Sequence, residues 1–134
     1  MLVVLAIAAH IAAPAMRGVV VRNQTRSAID RVAADLAFAR MLAVREGRTV
    51  SFLVGSGSRY TLVVRRAAGA DTVKRVTLAQ DYPSVRLSAT ASELSFNSRG
   101  LLQNAAGTQV IRAHVGGSAD SVRVLPIGQT YREN

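Results

Sequence analysis

Arginine is the side chain with the greatest chemical reach in this sequence. Seventeen Lys+Arg stand against eight Asp+Glu, a formal net charge of +9, and all but one of the basic residues are arginine. Such a surface draws polyanions of any kind, whether nucleic acid, anionic lipid or acidic protein. Arg65-Arg66, Lys74-Arg75, Arg86, Arg99, Arg112, Arg123 and Arg132 fall on expected strands and turns, where some of them can line up as one stripe. Arg112, Arg123 and Arg132 are the candidate contacts to DNA or another polyanion. Phosphate contacts of this kind give salt-dependent, sequence-independent binding. Arginine alternating with apolar residues is equally the pattern of any solvent-facing sheet, and an arginine and alanine bias also fits a GC-rich genome.

The other reactive residue types are sparse. His10 and His114 are far apart and have no acidic neighbours at ligand spacing, so no metal site is expected. His114 lies in a strand pattern and reads as a surface or rim residue. His10 lies in an apolar run, where an ionisable group is costly unless it faces a neighbouring helix or stays neutral near an interface. The serines lack a G-x-S-x-G elbow, and the carboxylates are scattered, with none in an apolar setting that would raise its pKa. Gly55-Ser56-Gly57-Ser58 lacks the lysine and following helix of a phosphate-binding loop and reads as a hairpin turn. Without cysteine there is no thiolate nucleophile and no disulfide framework. These residues predict no enzyme and no cofactor.

The elements that must carry the arginines begin with an uncharged stretch, Met1 to Met16, which gives way abruptly to Arg17. No basic residue precedes the apolar run and Pro14 sits inside the Ala13-Pro14-Ala15 triplet, so cleavage as a secretory signal is not expected. A spanning helix needs about 20 apolar residues, and this run is shorter. A core helix of a soluble domain would show a polar face, and Leu2 to Ala9 have none. The stretch therefore reads as a membrane segment missing its beginning, with Leu2, Val3, Val4, Leu5, Ile7, Ile11 and Pro14 as the anchoring and helix-packing positions.

From Arg17 to Arg48 the pattern is helical. Ile29, Val32, Ala33, Leu36, Ala39 and Ala43 recur at three- and four-residue steps, with charges largely on other faces. Asp30 and Asp35 are spaced to pair with Arg26 and Arg31. Gly47 is placed to cap the helix, and Pro14 with Gly18 predicts a kink or frayed turn. After Gly47 the period becomes two. Strands are expected at 49–54, 59–64, 73–79, 85–89, 93–97, 108–115 and 121–125, with a last one at 127–132, all punctuated by glycine and proline. One long helix followed by short strands is an α+β arrangement, closed by laying the Ile29, Val32 and Leu36 face across the sheet.

The block Met1-Leu2-Val3-Val4-Leu5-Ala6-Ile7, with Pro14 after it, resembles the start of type IV prepilins and pseudopilins just past their FTLIE-like mature start. The resemblance narrows to the GspH/FimT branch on three further stretches. Leu36 to Val50 is similar to the branch's L..AR..A..R...V helix motif. Leu94-Ser95-Phe96-Asn97-Ser98-Arg99-Gly100 resembles its strand ending in phenylalanine with a glycine beyond, and Val122 to Arg132 resembles its closing strand and GR.R-like tail. In that tail Gln129 and Tyr131 stand where the branch has arginine, leaving Arg132 alone.

The resemblance implies a pilin-like fold: one long N-terminal helix, apolar then amphipathic, packed on a C-terminal antiparallel β-rich head. Residues 1–16 become the truncated transmembrane and filament-core part of the helix, 17–48 its amphipathic part, and 49–134 a periplasmic head. It implies a non-enzymatic minor pseudopilin of the type II secretion system, single-pass in the bacterial inner membrane, whose partners are other pseudopilins of the same filament or tip complex. Prepilin peptidase and N-methylation enter only if the leader glycine and mature phenylalanine precede Met1, and restoring about five residues brings the run to spanning length. The alternatives are a minor type IV pilin that assembles pili or takes up DNA through arginines, and a soluble basic DNA-binding domain whose apolar start is merely buried.

Overall fold

The computed structural model describes residues 2–103 and 106–133, with side chains described from Met16 onward. The candidate anchor side chains Leu2, Val3, Val4, Leu5, Ile7, Ile11 and Pro14 lie outside the described residues, as does that of His10; the backbone there is helical. Helix α1 runs over Leu2–Glu46, 45 residues, or roughly 67 Å at 1.5 Å per residue. It is unbroken at Pro14 and Gly18, where the sequence predicts a kink or frayed turn. A proline removes one rung of the hydrogen-bond ladder, and the turns on either side persist. The helix ends as expected at Gly47, whose φ is +61°. The Gly47 amide donates to the Val44 carbonyl at 3.3 Å and the Arg48 amide to that of Ala43 at 3.1 Å, a Schellman cap.

The strands are β1 (Val50–Val54), β2 (Arg59–Arg66), β3 (Gly69–Thr77), β4 (Arg86–Ala89), β5 (Glu93–Phe96), β6 (Leu102–Gln103), β7 (Gln109–Val115), β8 (Ser118–Val124) and β9 (Thr130–Glu133). They form two antiparallel sheets, one in the order β3-β2-β1-β5-β6 and the other β4-β7-β8-β9. Strand β3 starts four residues before the expected one and stops at Thr77, because Leu78–Gln80 turn into a short 3-10 helix. Its first residues are exposed and paired only to β2, so no alternation of apolar and polar residues announces them. Strand β8 likewise begins at Ser118 rather than 121, on the tight Gly116-Gly117 turn.

Helix α1 crosses both sheets. Its Ala28, Ile29, Val32, Leu36, Ala39 and Ala43 are fully buried against Val50, Phe52, Leu62 and Phe96 of the first sheet and Ile111, Ala113, Val122 and Val124 of the second. The rings of Phe52 and Tyr60 stack at 4.7 Å between centroids, adding about 0.5–1.5 kcal/mol beyond their area burial. Three chain crossings close the layer: the Leu78 amide donates to the Ser58 carbonyl at 2.8 Å, Leu87 to Gly57 at 2.7 Å, and Leu102 to Pro126 at 2.9 Å.

Candidate functional site

The outward face of α1 follows from the inward one. With the core residues gathered on one side of the helix, Phe38, Met41 and Val44 project on the other, and 36%, 54% and 53% of their surfaces are exposed. Leu101 and Ile127, from the β5–β6 and β8–β9 turns, are exposed as well, and Ile127 lies beside Gly128, which lines a groove together with Ala37, Arg40, Met41 and Val44. Large apolar groups collected on one face mark an interaction surface. Farther up the same helix Met16, Val19 and Val20 are also more than half exposed. The spacing of Phe38, Met41 and Val44 opposite Ile29, Val32 and Leu36 carries this second stripe in the sequence, where the amphipathic reading treats that side as polar.

A staple holds this end of the helix to the head. Arg40 donates from Nε to the Gly100 carbonyl at 3.1 Å. Gly100 has φ of +74° and sits in a turn wound around Asn97, whose Oδ1 accepts from the Arg99 and Leu101 amides at 2.9 and 3.0 Å. Gly128, with φ of +79°, presses the β8–β9 turn against the same spot. A Cβ at 128 would stand 1.9 Å from the Gly100 carbonyl oxygen and 3.1 Å from Arg40 Nε. Only glycine combines that close approach with a left-handed backbone.

The model of the family described as type II transport protein GspH matches residues 28–128. The chain belongs to the GspH family. The match opens at Ala28, the first buried apolar position of α1 among the described side chains, and closes at Gly128 of the staple. Arg40, Gly100 and Gly128, drawn from three separate stretches of this GspH-family chain, converge on one point. Among solved structures, the chain is similar in fold to the type IV minor pilin FimU of Pseudomonas aeruginosa, at a TM-score of 0.70 and 17% identity over 84% of this chain and 90% of that one. The minor pseudopilin EpsH of the Vibrio cholerae type II secretion system gives 0.68 and 13% over 82% and 96%, and GspH of E. coli 0.62 and 11% over 84% and 89%. At these identities the likeness speaks for the fold. No curated protein matches the chain. The chain is thus of GspH type with a pilin-like fold, one long helix on an antiparallel head. Among the described residues no helix is long and apolar enough to cross a membrane.

Three charged side chains of α1 in this GspH-family chain find partners far away in sequence rather than along the helix. Asp30 pairs with Arg132 at 3.1 Å and Asp35 with Lys74 at 2.6 Å, in place of the expected four-residue pairs with Arg26 and Arg31. Arg31 pairs instead with Asp81 at 2.5 Å. The sheet offers better-placed partners than the helix surface, and local pairs bring only a few tenths of a kcal/mol. Asp35 is the carboxylate that sequence reasoning missed, since it is buried under β2 and β3 and also accepts a hydrogen bond from the Tyr60 hydroxyl at 2.6 Å. Burial first, then that hydrogen bond, push the Tyr60 phenol far above its ordinary value of 10.0. Asp35 at the helical position between the core residues Val32 and Leu36 is the signal that could have found it.

The three candidate polyanion contacts divide. Arg112 on β7 and Arg123 on β8 point away from the helix, each lying between residues buried against it, Ile111 and Ala113 in one case and Val122 and Val124 in the other. Arg86 joins them, paired in register with half-buried His114. Arg123 is gripped by Glu133 through both Nε and an η nitrogen, and Arg132, set opposite buried Val122, turns inward to bridge Asp120 of β8 and Asp30 of α1. Arg112 and Arg123 thus share an outer face that Arg132 does not. On the outer side of the other sheet Ser51 and Ser95 are 2.8 Å apart, and Glu93 accepts from Ser95 and Arg65 at 2.9 and 2.8 Å. Among the described residues no histidine is hydrogen-bonded to these serines, and the bonds to Ser51, Arg65 and Ser95, in that order, hold the Glu93 carboxyl below its ordinary value. Among the described residues no group of three His, Cys, Asp or Glu side chains is gathered to hold a metal ion.

Proposed function

We propose that this chain is a non-enzymatic minor pseudopilin of a type II secretion pseudopilus. Its opening helix is anchored in the bacterial inner membrane with the side chains from Leu2 to Pro14, and its β-rich head stands in the periplasm. Its work is assembly: the helix packs against sister pseudopilins while the head is displayed outside. The observation that carries this reading is the outward face of α1, where Phe38, Met41 and Val44 stay exposed although both sheets of the chain already lie on the helix. A lone globular subunit gains nothing from an apolar stripe turned to water. Packing it against another helix removes that stripe from solvent, at about 25 cal/mol per Å² buried. The family description and the likeness to EpsH and to E. coli GspH favour type II secretion.

The second reading is a minor type IV pilin, favoured by the fold likeness to FimU. In that reading Arg112 and Arg123, on one outer face, are the DNA contacts, and Arg132, tied to two carboxylates, contributes least. A photo-crosslinker placed at Met41 in the producing bacterium tests the assembly claim: adducts with other pilin-like subunits are expected, and a purely monomeric product overturns it. Deleting the gene then separates the readings. Loss of a secreted enzyme with normal pili indicates the pseudopilus, and loss of pili or of DNA uptake with normal secretion indicates the pilus.

A further inference from the structure

The stretch of α1 that leads into the head carries a collar of arginines with apolar residues set among them. Arg17, Arg22 and Arg26 are all exposed, and none is in an ion pair among the described residues. Asp30 is the first acidic residue along the chain. Beside these arginines Met16, Val19 and Val20 expose 71%, 60% and 53% of their surfaces. The turn joining β7 to β8 comes down against this stretch, and a groove runs between the two, with Arg17, Gly18 and Arg22 on the helix side and Gly116, Gly117 and Ser118 on the other. The floor is fixed: Thr25 donates its hydroxyl to the Arg22 carbonyl at 2.9 Å and lies 3.4 Å from the Ser118 hydroxyl.

We infer that this groove is a docking site for the phosphate headgroup of an anionic phospholipid, held between Arg17 and Arg22. The charge is complementary, since Arg17 and Arg22 line the groove and no carboxylate does. The apolar side chains choose among polyanions. Nucleic acid offers nothing to Met16, Val19 and Val20, whereas at a bilayer surface they reach the acyl boundary while the arginines extend to the phosphates. The inference rests on the membrane-anchored reading above, which brings Met16 to the lipid–water boundary. The head would then stand against the membrane at a set height, with the β7–β8 turn on the headgroups.

The test uses the purified full chain, mixed with vesicles of phosphatidylcholine alone and of phosphatidylcholine with phosphatidylglycerol, and read by co-flotation at several salt concentrations. At about fivefold per arginine near a charged surface, on the order of a hundredfold preference for the anionic vesicles is expected, fading as salt rises. Arg17→Gln/Arg22→Gln/Arg26→Gln should abolish the preference, and the matching lysine variant should keep most of it. Arg59→Gln/Arg75→Gln/Arg99→Gln, which changes net charge equally on exposed parts of the head, should leave it intact. Equal loss in both glutamine variants, or none in the first, overturns the inference. So does displacement of the bound chain by millimolar inorganic phosphate, which assigns the groove to free phosphate, or by duplex DNA, which assigns it to nucleic acid. Failure to enter neutral vesicles sinks the anchoring reading alone, because the dependence of anionic binding on these arginines is read separately.

Discussion

Gly128 and Gly100 touch so closely that a single methyl group cannot be placed between them: a Cβ on Gly128 would meet the Gly100 carbonyl oxygen at 1.9 Å. Gly128→Ala must therefore push the β8–β9 turn off the helix as well as force a left-handed backbone. The left-handed conformation alone costs roughly 1–2 kcal/mol, and the displaced turn adds to it, so a fall in unfolding free energy of at least about 2 kcal/mol is expected by chemical denaturation. Gly18→Ala is the contrast. That glycine lies inside α1 with nothing within 4 Å of its added Cβ, and the substitution should stabilise by about 0.5–1 kcal/mol.

Asp35 accepts from both Tyr60 and Lys74 under the sheet. Asp35→Ala leaves a buried phenol without its acceptor and opens a small cavity, for an expected loss of about 2–4 kcal/mol. Tyr60→Phe keeps the Lys74 pair and the stacking on Phe52, and should cost only about 1 kcal/mol. If the two substitutions prove equal by thermal melting, the carboxylate is not the hub of this cluster.

The same contact sets an alkaline limit. The folded pKa of Tyr60 is raised above the unfolded value of 10.0, so its contribution to stability is complete below pH 10 and is lost as pH climbs past it, because unfolding then releases the phenol's proton. Unfolding followed between pH 9 and 12 should show a steep decline in the wild type and a shallower one in Tyr60→Phe. For Glu93 the sign is opposite. Its lowered pKa supports the fold above the ordinary value of 4.5 and ceases to do so as pH drops beneath it, so Glu93→Gln should flatten the acid limb slightly, the group being partly exposed.

Arg132 and Arg123 are each paired with carboxylates, but their removal should differ. Arg132 ties β9 to Asp120, only 11% exposed, and to α1 through Asp30. Arg132→Ala strips a nearly buried carboxylate of its partner and should destabilise by about 1–2 kcal/mol. The Arg123–Glu133 pair is at the surface, and Arg123→Ala should leave the melting temperature unchanged. Mobility shifts with the same two variants address the pilus reading: a loss of DNA binding confined to Arg123→Ala is expected if the outer face carries it.

The helix was legible because Ile29, Val32, Leu36 and Ala43 repeat at a period no strand can use, and Gly47 closes them off. The hairpin from Val50 to Val64 was legible because two runs rich in β-branched and aromatic residues flank a turn that is all glycine and serine. The beginning of β3 was not, since Gly69 to Thr72 bury nothing and are held by pairing to β2 alone. β6 is two residues long and carries no pattern at all. The division into two sheets depends on which strands meet from distant parts of the chain, and no local period encodes that. For the same reason the short sequence motifs were recognisable one by one, while the meeting of Arg40, Gly100 and Gly128 was not. Ion pairs were not legible in the same way: spacing along a helix says which residues can reach each other, not whether the rest of the head will offer a better-placed partner, as Arg132 and Lys74 do for Asp30 and Asp35.

Helix α1 has no break from Leu2 to Glu46, and its last five turns are embedded in the head. A rod clamped in this way has no joint at which to swivel. A tilt applied to its first turns is passed along the helix toward the β-sheets, so the head's bearing follows the seat of the rod's other end.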